Sequence, residues 1–437
     1  MEGQRSSVSE QTKQEREAQW DWVEPSVWTD KMLVALKTGV KGGKWFSLID
    51  KVWRISNLRS AWEKVASNRG SAGVDKISIK QYKRHLEERL NLTSELLRDN
   101  RYKPSGIRRV WIDKPGTKDK RPLGIPTVTD RVVQTALRNV IEPIFEKDFA
   151  ENSFGFRPHR GCKDALREVE RHLKQGYSHI VDADLKGYFD SIPKVKLMEK
   201  VEEKIADSRI LELIGLYLEQ EVIETASRIT PETGTPQGAV ISPLLANIYL
   251  DSLDWMMANS GFKMIRYADD FVIMCQSREE AELALIKVAE WVDESGLTLH
   301  PTKTKIVNAD EESFEFLGYK FKFGKKYPTD KSIKKYKDKI RSYTRRTNAH
   351  DLETIINNLK RTQIGWFEYF KHSNKWVFKN LDGWTRRRLR SILKKRDKRR
   401  GIATTGKDNR RYPNAIFDSC GFFSLGRAHR ELCRSLK

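Results

Sequence analysis

Three aspartates have the residue type and the spacing to hold divalent cations. Asp269 and Asp270 are adjacent and lie between two apolar runs, Met264–Ile265 and Phe271–Met274. Two neighbouring carboxylates repel each other, so the pair is costly unless a cation lies there. A third carboxylate from a neighbouring strand, for which Asp184 is the candidate, would complete a site for two Mg²⁺ ions. Such a pair of ions, roughly 3.5–4 Å apart, can activate a 3′-hydroxyl and stabilise a leaving pyrophosphate.

A single aspartate near a turn is most often a turn former, so the hypothesis depends on the surrounding elements. The apolar runs predict a β-hairpin with Asp269 and Asp270 at its turn, and residues 178–185 predict a strand that reaches Asp184. Further strands are predicted at 108–112, 123–126, 305–307 and 314–321, with a strongly basic turn at 114–122. Helices are predicted at 58–97 with a break at 68–73, and at 130–144, 243–257 and 279–292. This alternation indicates one α+β domain over about 105–325, followed by a separate helical, basic domain from Ile333 onward.

The net charge of +22 is concentrated at one end of the chain. Residues 331–437 contain 30 Lys and Arg against 9 Asp and Glu, whereas the first 330 residues are close to neutral. Trp and Tyr are interleaved with these basic residues, which favours nucleic acid over a membrane surface or an acidic protein as the partner. Binding should weaken steeply as salt rises, because Lys and Arg contacts to phosphates release counterions.

Several classes of protein are disfavoured. The start, Met1–Arg5, contains no apolar signal region, and the most apolar long stretch, Ala239–Leu250, is too short to span a bilayer. The four cysteines lie far apart and form no C-x-x-C pair, which argues against a disulfide scaffold or a cysteine zinc site. No membrane partner is therefore expected.

The segments around the aspartates resemble reverse transcriptases in five blocks that follow the family's order. Tyr267–Asp270 is similar to the family's signature, and Asp182–Ile192 to its first catalytic motif. Gly234–Leu245 resembles the motif of the nucleotide pocket, and Asn152–Pro158 and Phe316–Tyr319 match further blocks. One four-residue match alone would be weak, but five ordered matches make the resemblance specific.

Within that family the chain most resembles the group II intron-encoded reverse transcriptases, also called maturases. The blocks that carry this resemblance are Arg121–Pro126, Phe154–Pro158 and Gly73–Asp75. Trp22–Trp28 and Tyr412–Phe417 look like the bacterial group IIC type. The resemblance therefore implies a bacterial protein located in the cytoplasm and associated with the nucleoid through nucleic acid.

Many members of this subgroup end in a DNA endonuclease domain with paired cysteines and histidines. After residue 400 this chain has only Cys420, His429 and Cys433, which cannot build that pattern. We therefore expect no endonuclease activity, so that second-strand cleavage comes from elsewhere or the targets are single-stranded.

The resemblance implies an α+β fold: a right-hand polymerase, with fingers and palm built on antiparallel sheet, followed by an α-helical thumb and maturase domain. The implied divisions are an N-terminal extension over 1–60, fingers with a basic fingertip hairpin over 61–165, a palm with the catalytic aspartates over 166–328, a thumb and maturase (X) domain over 329–400, and a basic DNA-binding segment over 401–437.

The resemblance also implies the metal site. Asp184 and Asp269 would hold both metal ions, Asp270 would complete the site, and the backbone carbonyl of Leu185 would be a further ligand. The expected cofactor is two Mg²⁺ ions, with Mn²⁺ as a substitute.

Two residues would recognise the sugar and base of the incoming dNTP. Phe189 would stack under the sugar and exclude a 2′-hydroxyl, and Gln237 would contact the sugar and base. The alternative for Phe189 is a core residue beside Tyr188.

Three basic residues would bind the phosphates. Lys114 and Arg121, on the fingertip hairpin, would grip the triphosphate, the guanidinium with bidentate donors and the ammonium as a point charge. Lys303 would lie near the pyrophosphate as a general acid; Lys305 is a competitor for this role, and a plain surface lysine is the alternative.

Apolar residues recur at helical spacing from Leu352 to Leu393, which predicts packing between antiparallel helices. The opposite face is predicted to bind nucleic acid, with a solvated surface as the alternative. Its basic residues are Arg386, Arg387, Arg388, Arg390, Lys394 and Lys395. The resemblance implies that phosphate contacts give this domain its affinity for template–primer and intron RNA, and that intron shape gives much of its specificity.

The leading hypothesis is an RNA-directed DNA polymerase that binds its group II intron RNA, assists splicing and copies the intron into cDNA during retrohoming. Its partners would be the intron RNA, an RNA template with a DNA primer, target DNA and dNTPs. One alternative is an intron-independent reverse transcriptase in phage defence or DNA repair. Another is an RNA-binding splicing chaperone with a dead polymerase site, against which the intact aspartates argue.

Overall fold

The computed structural model describes residues 20–113, 120–224 and 227–435. These residues form two compact units. The first comprises the described parts of 20–112, 120–177 and 181–306, and the second comprises residues 113, 178–180 and 307–435. The polar composition of residues 1–18 predicts disorder, but this segment and the tip of the basic hairpin, with Lys114, lie outside the described residues.

Twelve helices belong to the first unit. They are α1 (Asp30–Thr38), α2 (Ile49–Trp53), α3 (Ile55–Ser67), α4 (Ile79–Arg84), α5 (Leu86–Arg98), α6 (Val128–Glu146), α7 (Cys162–Lys174), α8 (Tyr188–Ser191), α9 (Lys194–Glu202), α10 (Ser208–Leu218), α11 (Ser242–Asn259) and α12 (Arg278–Glu294). The predicted helices at 58–97, 130–144, 243–257 and 279–292 are confirmed. The first of them is three helices: the predicted break separates α3 from α4, and a second break at His85, which was not predicted, separates α4 from α5.

A four-stranded sheet carries the predicted carboxylates. It consists of β3 (His179–Asp184), β6 (Lys263–Tyr267), β7 (Asp270–Cys275) and β8 (Lys305–Asn308), in the order β6-β7-β3-β8. The predicted hairpin is confirmed, because β6 and β7 pair antiparallel from Lys263 opposite Met274 to Tyr267 opposite Asp270.

The basic hairpin belongs to a second four-stranded sheet. Its strands are β1 (Ile107–Asp113), β2 (Lys120–Ile125), β4 (Val222–Glu224) and β5 (Ser227–Ile229), in the order β2-β1-β4-β5. The strands β4 and β5 were not predicted. Strand β4 pairs parallel with β1, which lies more than 100 positions earlier in the sequence. Because the paired segments are so distant in sequence, no local hairpin pattern predicts β4.

One hydrophobic core runs from Val23 to Leu297 and includes the buried face of α6. The N-terminal segment is part of this core: Trp28 is buried, and its indole N–H donates to the carbonyl of Asn139 on α6 at 2.9 Å. The predicted extension, fingers and palm therefore share one core.

The second unit combines a small sheet with helices. It contains β9 (Phe314–Phe316), β10 (Tyr319–Lys322) and β11 (Lys325–Pro328), in the order β11-β10-β9, followed by α13 (Asp330–Tyr343), α14 (Leu352–Phe370), α15 (Lys375–Arg396), α16 (Gly406–Arg411), α17 (Asn414–Ser419) and α18 (Leu425–Ser435). Buried Ile355, Phe367, Phe378 and Leu389 lie in its core, which confirms the predicted helix packing. No described helix is long and apolar enough to cross a membrane.

The prediction of a single strand over 314–321 was wrong. Leu317 and Gly318 have φ of 48° and 77°, so the chain reverses there and Tyr319 pairs with Phe316. Positive φ at two successive residues makes a tight hairpin turn. The turn was not predicted because apolar residues lie on both sides of it.

Candidate active site

The hairpin turn between β6 and β7 presents two of the predicted catalytic carboxylates. Tyr267 and Asp270 are the last paired residues, so Ala268 and Asp269 form the two-residue turn. Ala268 has φ of 59°, in the left-handed region that glycine usually occupies at the first position of such turns. A non-glycine residue held there costs of order 1–3 kcal/mol and persists only where the surroundings fix it.

A buried arginine fixes this turn. Arg266, on β6, is fully buried, and its guanidinium donates to the carbonyl of Ala268 at 2.9 Å and to Asn247 Oδ1 at 3.0 Å. Its remaining donors bind both carboxylate oxygens of Asp254 on α11, with Nε at 2.8 and 3.0 Å. The guanidinium thus connects the strained turn to the helix packed against the sheet.

The segment Asn152–Pro158 supports the same turn from the other side of β6. The Arg266 N–H donates to the Asn152 carbonyl at 2.9 Å, and the Phe154 N–H donates to the Arg266 carbonyl at 2.9 Å, so the segment pairs with the edge of β6. A side chain at Gly155 would overlap the backbone nitrogen of Ala268, which explains the glycine. Asn247 also donates to the Gly155 carbonyl at 2.8 Å, which joins the two supports.

Asp184, at the end of β3, is brought to the same place. Its backbone carbonyl accepts a hydrogen bond from the His300 N–H at 2.7 Å, and Leu185 forms a bridge with Leu299. Its carboxylate forms an ion pair with the ammonium of Lys303. The chain after α12 therefore delivers Lys303, rather than Lys305, to the carboxylates.

Burial and the charges of three neighbouring side chains act on the pKa of Asp269. Burial raises the pKa of the Asp269 carboxyl, and the negative charge of Asp184 raises it further. The cations of Lys303 and Arg266 oppose this rise in pKa. Asp184 and Asp269 thus form a pair of mutually repelling carboxylates, the arrangement that a bound cation would stabilise.

The donor set fits a hard divalent cation. Among the described residues, no three His, Cys, Asp or Glu side chains are gathered closely enough to hold a metal by themselves. Mg²⁺ is typically bound by one or two carboxylates with substrate phosphates and water completing the shell. Asp184 and Asp269 supply two carboxylates, and the Lys303 ammonium shows that a cation is accommodated against Asp184.

The predicted sugar and base contacts lie on neighbouring segments. Gln237 Nε2 donates to Asp190 Oδ2 at 3.3 Å, and Asp190 follows Phe189 on α8. The Thr235 N–H donates to the Phe189 carbonyl at 2.7 Å, which locks the two motifs together. Phe189 is partly buried, with its ring 5.6 Å from that of Tyr188, so one part of it remains available to a ligand.

The glycines of the second motif are required by close backbone approaches. A Cβ at Gly234 would lie 2.6 Å from the Phe189 carbonyl oxygen, and one at Gly238 would overlap the Gly124 carbonyl on β2. The Gly124 N–H in turn donates to the Gln237 carbonyl at 2.6 Å. Gln237 therefore lies beside the strand that carries the exposed Arg121.

The predicted nucleic-acid residues of α15 divide into two groups. Arg387 and Lys395 are exposed. Arg388 donates to Thr344 at 2.6 and 2.9 Å, Arg390 donates to the Tyr412 carbonyl at 2.8 Å, and Lys394 pairs with Asp408 at 3.0 Å.

Arg386, on the same helix, belongs to the group that makes contacts within the second unit. It is partly buried and bonds to Asp418 at 3.4 Å. Arg386, Arg388, Arg390 and Lys394 thus stabilise the second unit, a role that the helical spacing alone did not predict.

Sequence reasoning missed the supporting residues Arg266, Asp254 and Asn247. One signal was present: an arginine directly before Tyr267 interrupts an otherwise apolar strand. Its partners, Asp254 and Asn247, lie 12 and 19 positions earlier on α11, and nothing in the neighbouring sequence indicates their role.

Comparison with known families supports this geometry. Residues 112–321 match the family described as reverse transcriptase (RNA-dependent DNA polymerase), and residues 333–412 match the group II intron maturase-specific domain. The chain belongs to the group II intron-encoded reverse transcriptases. The aspartates, the hairpin turn and the nucleotide motif all lie within the reverse transcriptase match, and most of α13 to α16 lies within the maturase match.

Individual relatives agree with this family. The chain is 40% identical to the group II intron-encoded protein LtrA of Lactococcus lactis over 180 residues, which is 41% of this chain and 30% of the relative. It is 33% identical to protein YkfC of Escherichia coli over 291 residues, covering 57% of this chain and 75% of that protein. It is 27% identical to nuclear intron maturase 2 of Arabidopsis thaliana, covering 56% of this chain and 40% of that protein. The match to LtrA thus spans about a third of that protein.

Proposed function

We propose that this reverse transcriptase is an RNA-directed DNA polymerase that uses two Mg²⁺ ions, with Mn²⁺ as a substitute. The observation that carries the proposal is the meeting of Asp184, Asp269 and Lys303 at one point of the first unit. Asp184 and Asp269 would hold the ions, with Asp270 and the Leu185 carbonyl as further ligands. When bound, the ions would activate a primer 3′-hydroxyl and stabilise the leaving pyrophosphate.

The chain's own residues would orient the nucleotide. Gln237 is held beside Phe189 by the Thr235 hydrogen bond, so both would meet the same sugar, and the ring of Phe189 would exclude a 2′-hydroxyl. Arg121, together with Lys114, would bind the triphosphate. Lys303 carries three N–H donors and would protonate the pyrophosphate as it leaves.

The biological role we propose is binding of the group II intron RNA, assistance of its splicing, and copying of the intron into cDNA at a DNA target during retrohoming. The maturase-specific match over 333–412 and the net positive charge of that region support RNA binding. The exposed Arg387 and Lys395 remain the proposed phosphate contacts on α15. We propose a cytoplasmic location, in association with the nucleoid.

Primer extension on an RNA template with dNTPs and Mg²⁺ tests the polymerase. Asp269→Asn should abolish extension while RNA binding and splicing assistance persist, because it removes a metal ligand and preserves side-chain size. Asp293→Asn, at an exposed position on α12, removes the same charge elsewhere and should leave extension unchanged. A folded wild-type protein that binds RNA without extending the primer would favour the splicing chaperone.

Splicing of the intron RNA tests the maturase role. Added protein should accelerate splicing of the RNA that flanks its reading frame, and Asp269→Asn should do so equally well. Polymerase activity without any effect on such an RNA would favour an intron-independent role in phage defence or DNA repair.

A further inference from the structure

A cavity of about 500 Å³ lies in the second unit, between α15 and the chain that follows it. Three guanidinium groups from α15 line one wall, those of Arg386, Arg387 and Arg390. Thr404 and Asn414 belong to the opposite wall. Asn414 is part of the segment Tyr412–Phe417, which sequence analysis singled out and to which the polymerase reaction assigns no role.

Two of these arginines are held rigidly. Arg390 is 7% exposed, donates to the Tyr412 carbonyl at 2.8 Å and to Asn414 Oδ1 at 2.5 Å, and lies 5.3 Å from the ring centre of Phe417. Arg386 lies 4.9 Å from the ring centre of Phe422. Residues 412–422 therefore fix Arg390 and Arg386, so that little side-chain entropy is lost when a ligand binds these two groups.

Positive charge predominates in the cavity, although Asp418 pairs with Arg386 at 3.4 Å from outside its lining. None of the described residues that line it is acidic. Burial lowers the pKa of Arg390 and the neighbouring charge of Arg386 lowers it further, while the charge of Asp408 opposes this decrease in pKa. Guanidinium groups that face one another are costly, and an anion between them would offset that cost.

We propose that this cavity binds one phosphate group of a nucleic-acid strand together with its sugar. Guanidinium groups bind phosphate oxygens through two parallel hydrogen bonds, and the hydroxyl of Thr404 adds a further donor. A cavity of this size exceeds a phosphate alone and lies within the range of small-ligand sites. The inference rests on the proposed binding of nucleic acid. It assigns one phosphate contact to a cavity rather than to the open surface of the domain.

The cavity can be filled without changing any charge. Gly383 lines it, and a Cβ built on Gly383 would meet no other atom within 4 Å. Gly383→Leu would therefore occupy the cavity, and it replaces a poor helix former with a good one within α15. Gly365→Leu is the matched control: Gly365 is an exposed helical glycine on α14 with the same free space and does not line the cavity.

The experiment measures binding of a labelled single-stranded RNA to the full chain as salt is varied. Gly383→Leu should weaken binding about tenfold and reduce the salt slope by about one, because one charged phosphate contact is lost. Arg387→Gln should do the same, whereas Gly365→Leu and Lys360→Gln, outside the cavity, should bind like wild type. Unchanged RNA affinity in a folded Gly383→Leu protein would overturn the proposal.

Two further measurements separate the possible ligands and functions. If inorganic phosphate binds the wild type and Gly383→Leu abolishes this without changing RNA affinity, the cavity is a free-phosphate site and the proposal is overturned. Primer extension at saturating template tests the proposed polymerase separately, and it should be the same in Gly365→Leu and wild type. If the wild type does not extend the primer but Gly383→Leu still weakens RNA binding, the proposed polymerase is rejected and the proposal for the cavity stands.

Discussion

Arg266 and Asp254 form an ion pair in which neither side chain is exposed, and Arg266 lies three positions before the predicted metal ligand Asp269. The pair is worth little as a source of stability, because taking two charges out of water costs several kcal/mol per ion. The role of the pair is to position the hairpin turn. Because the carboxylate accepts from Nε and Nη2 along one edge of the guanidinium, Nη1 is directed at Asn247 and at the carbonyl of Ala268, which fixes the turn.

Breaking this pair should affect stability and activity separately. Arg266→Ala leaves the Asp254 carboxylate buried and unpaired, and should cost about 3–5 kcal/mol of unfolding free energy, measured by urea denaturation. The double variant Arg266→Met, Asp254→Leu replaces the pair by apolar side chains and should regain most of that stability. It should not regain primer extension, since the Ala268 carbonyl still lacks its donor. A double variant with wild-type extension would refute the positioning role.

Gly155→Ala tests the second support of the turn. The added methyl group would overlap the Ala268 backbone and displace Asp269, and a displacement near 1 Å at a catalytic group can cost about 10²-fold in rate. We expect primer extension to fall by that order while RNA binding stays unchanged. Gly215→Ala, on α10, meets no atom within 4 Å and should be neutral or slightly stabilising. Equal activity in the two variants would contradict this account.

Lys303→Met tests the ammonium that contacts Asp184. A general acid contributes typically 10²–10⁴-fold, so kcat for nucleotide addition should fall at least about 10²-fold. The KM for dNTP should change much less. Lys305→Met removes a charge two positions away, at a residue that forms no ion pair with Asp184, and should retain wild-type kcat. If Lys305→Met showed the larger loss, the role assigned to Lys303 would pass to its neighbour.

Stability should depend on pH through Asp251. Burial raises the pKa of this carboxyl from 3.8 to about 6. The folded state therefore favours the protonated form, so the contribution of Asp251 to stability is complete below pH 3.8 and is lost as the pH rises through about 6. Asp251→Asn keeps an oxygen for the Ala150 N–H and removes the ionisation.

At pH 8 the Asp251→Asn variant should be more stable than wild type by roughly 1–2 kcal/mol, a value reduced for the part of the side chain that reaches solvent. At pH 4 the two proteins should differ little. Urea unfolding at both pH values provides the measurement, with Asp293→Asn as an exposed control. An identical pH dependence in Asp251→Asn and wild type would show that Asp251 does not titrate with folding.

Much of the site could be predicted because its signals are local. The hairpin at 263–275 follows from two apolar runs around a pair of aspartates, and the strand that ends at Asp184 from one apolar run. Strands β4 and β5 could not be predicted, since β4 depends on pairing with β1, which is distant in sequence. The turn at Leu317 and Gly318 was missed because apolar residues flank it on both sides.

The basic face of α15 shows the same division. Its composition predicts contacts with polyanions, but a helix with basic residues at successive positions points them in several directions. Only packing determined that Arg390 is enclosed against Phe417 while Arg387 remains exposed.

The sequence by itself determined the family and predicted the reaction type and the metal-binding carboxylates, because residue types and short spacings encode the chemistry. Only the tertiary structure decided what positions them. Arg266, Asp254 and Gly155 come from a strand, a helix and a loop. Arg266 donates to a backbone carbonyl of the strained turn, Asp254 orients that arginine, and Gly155 closely approaches the backbone of the turn. Hydrogen bonds of this kind depend on distances of about 3 Å between atoms far apart in the chain, which local sequence does not specify.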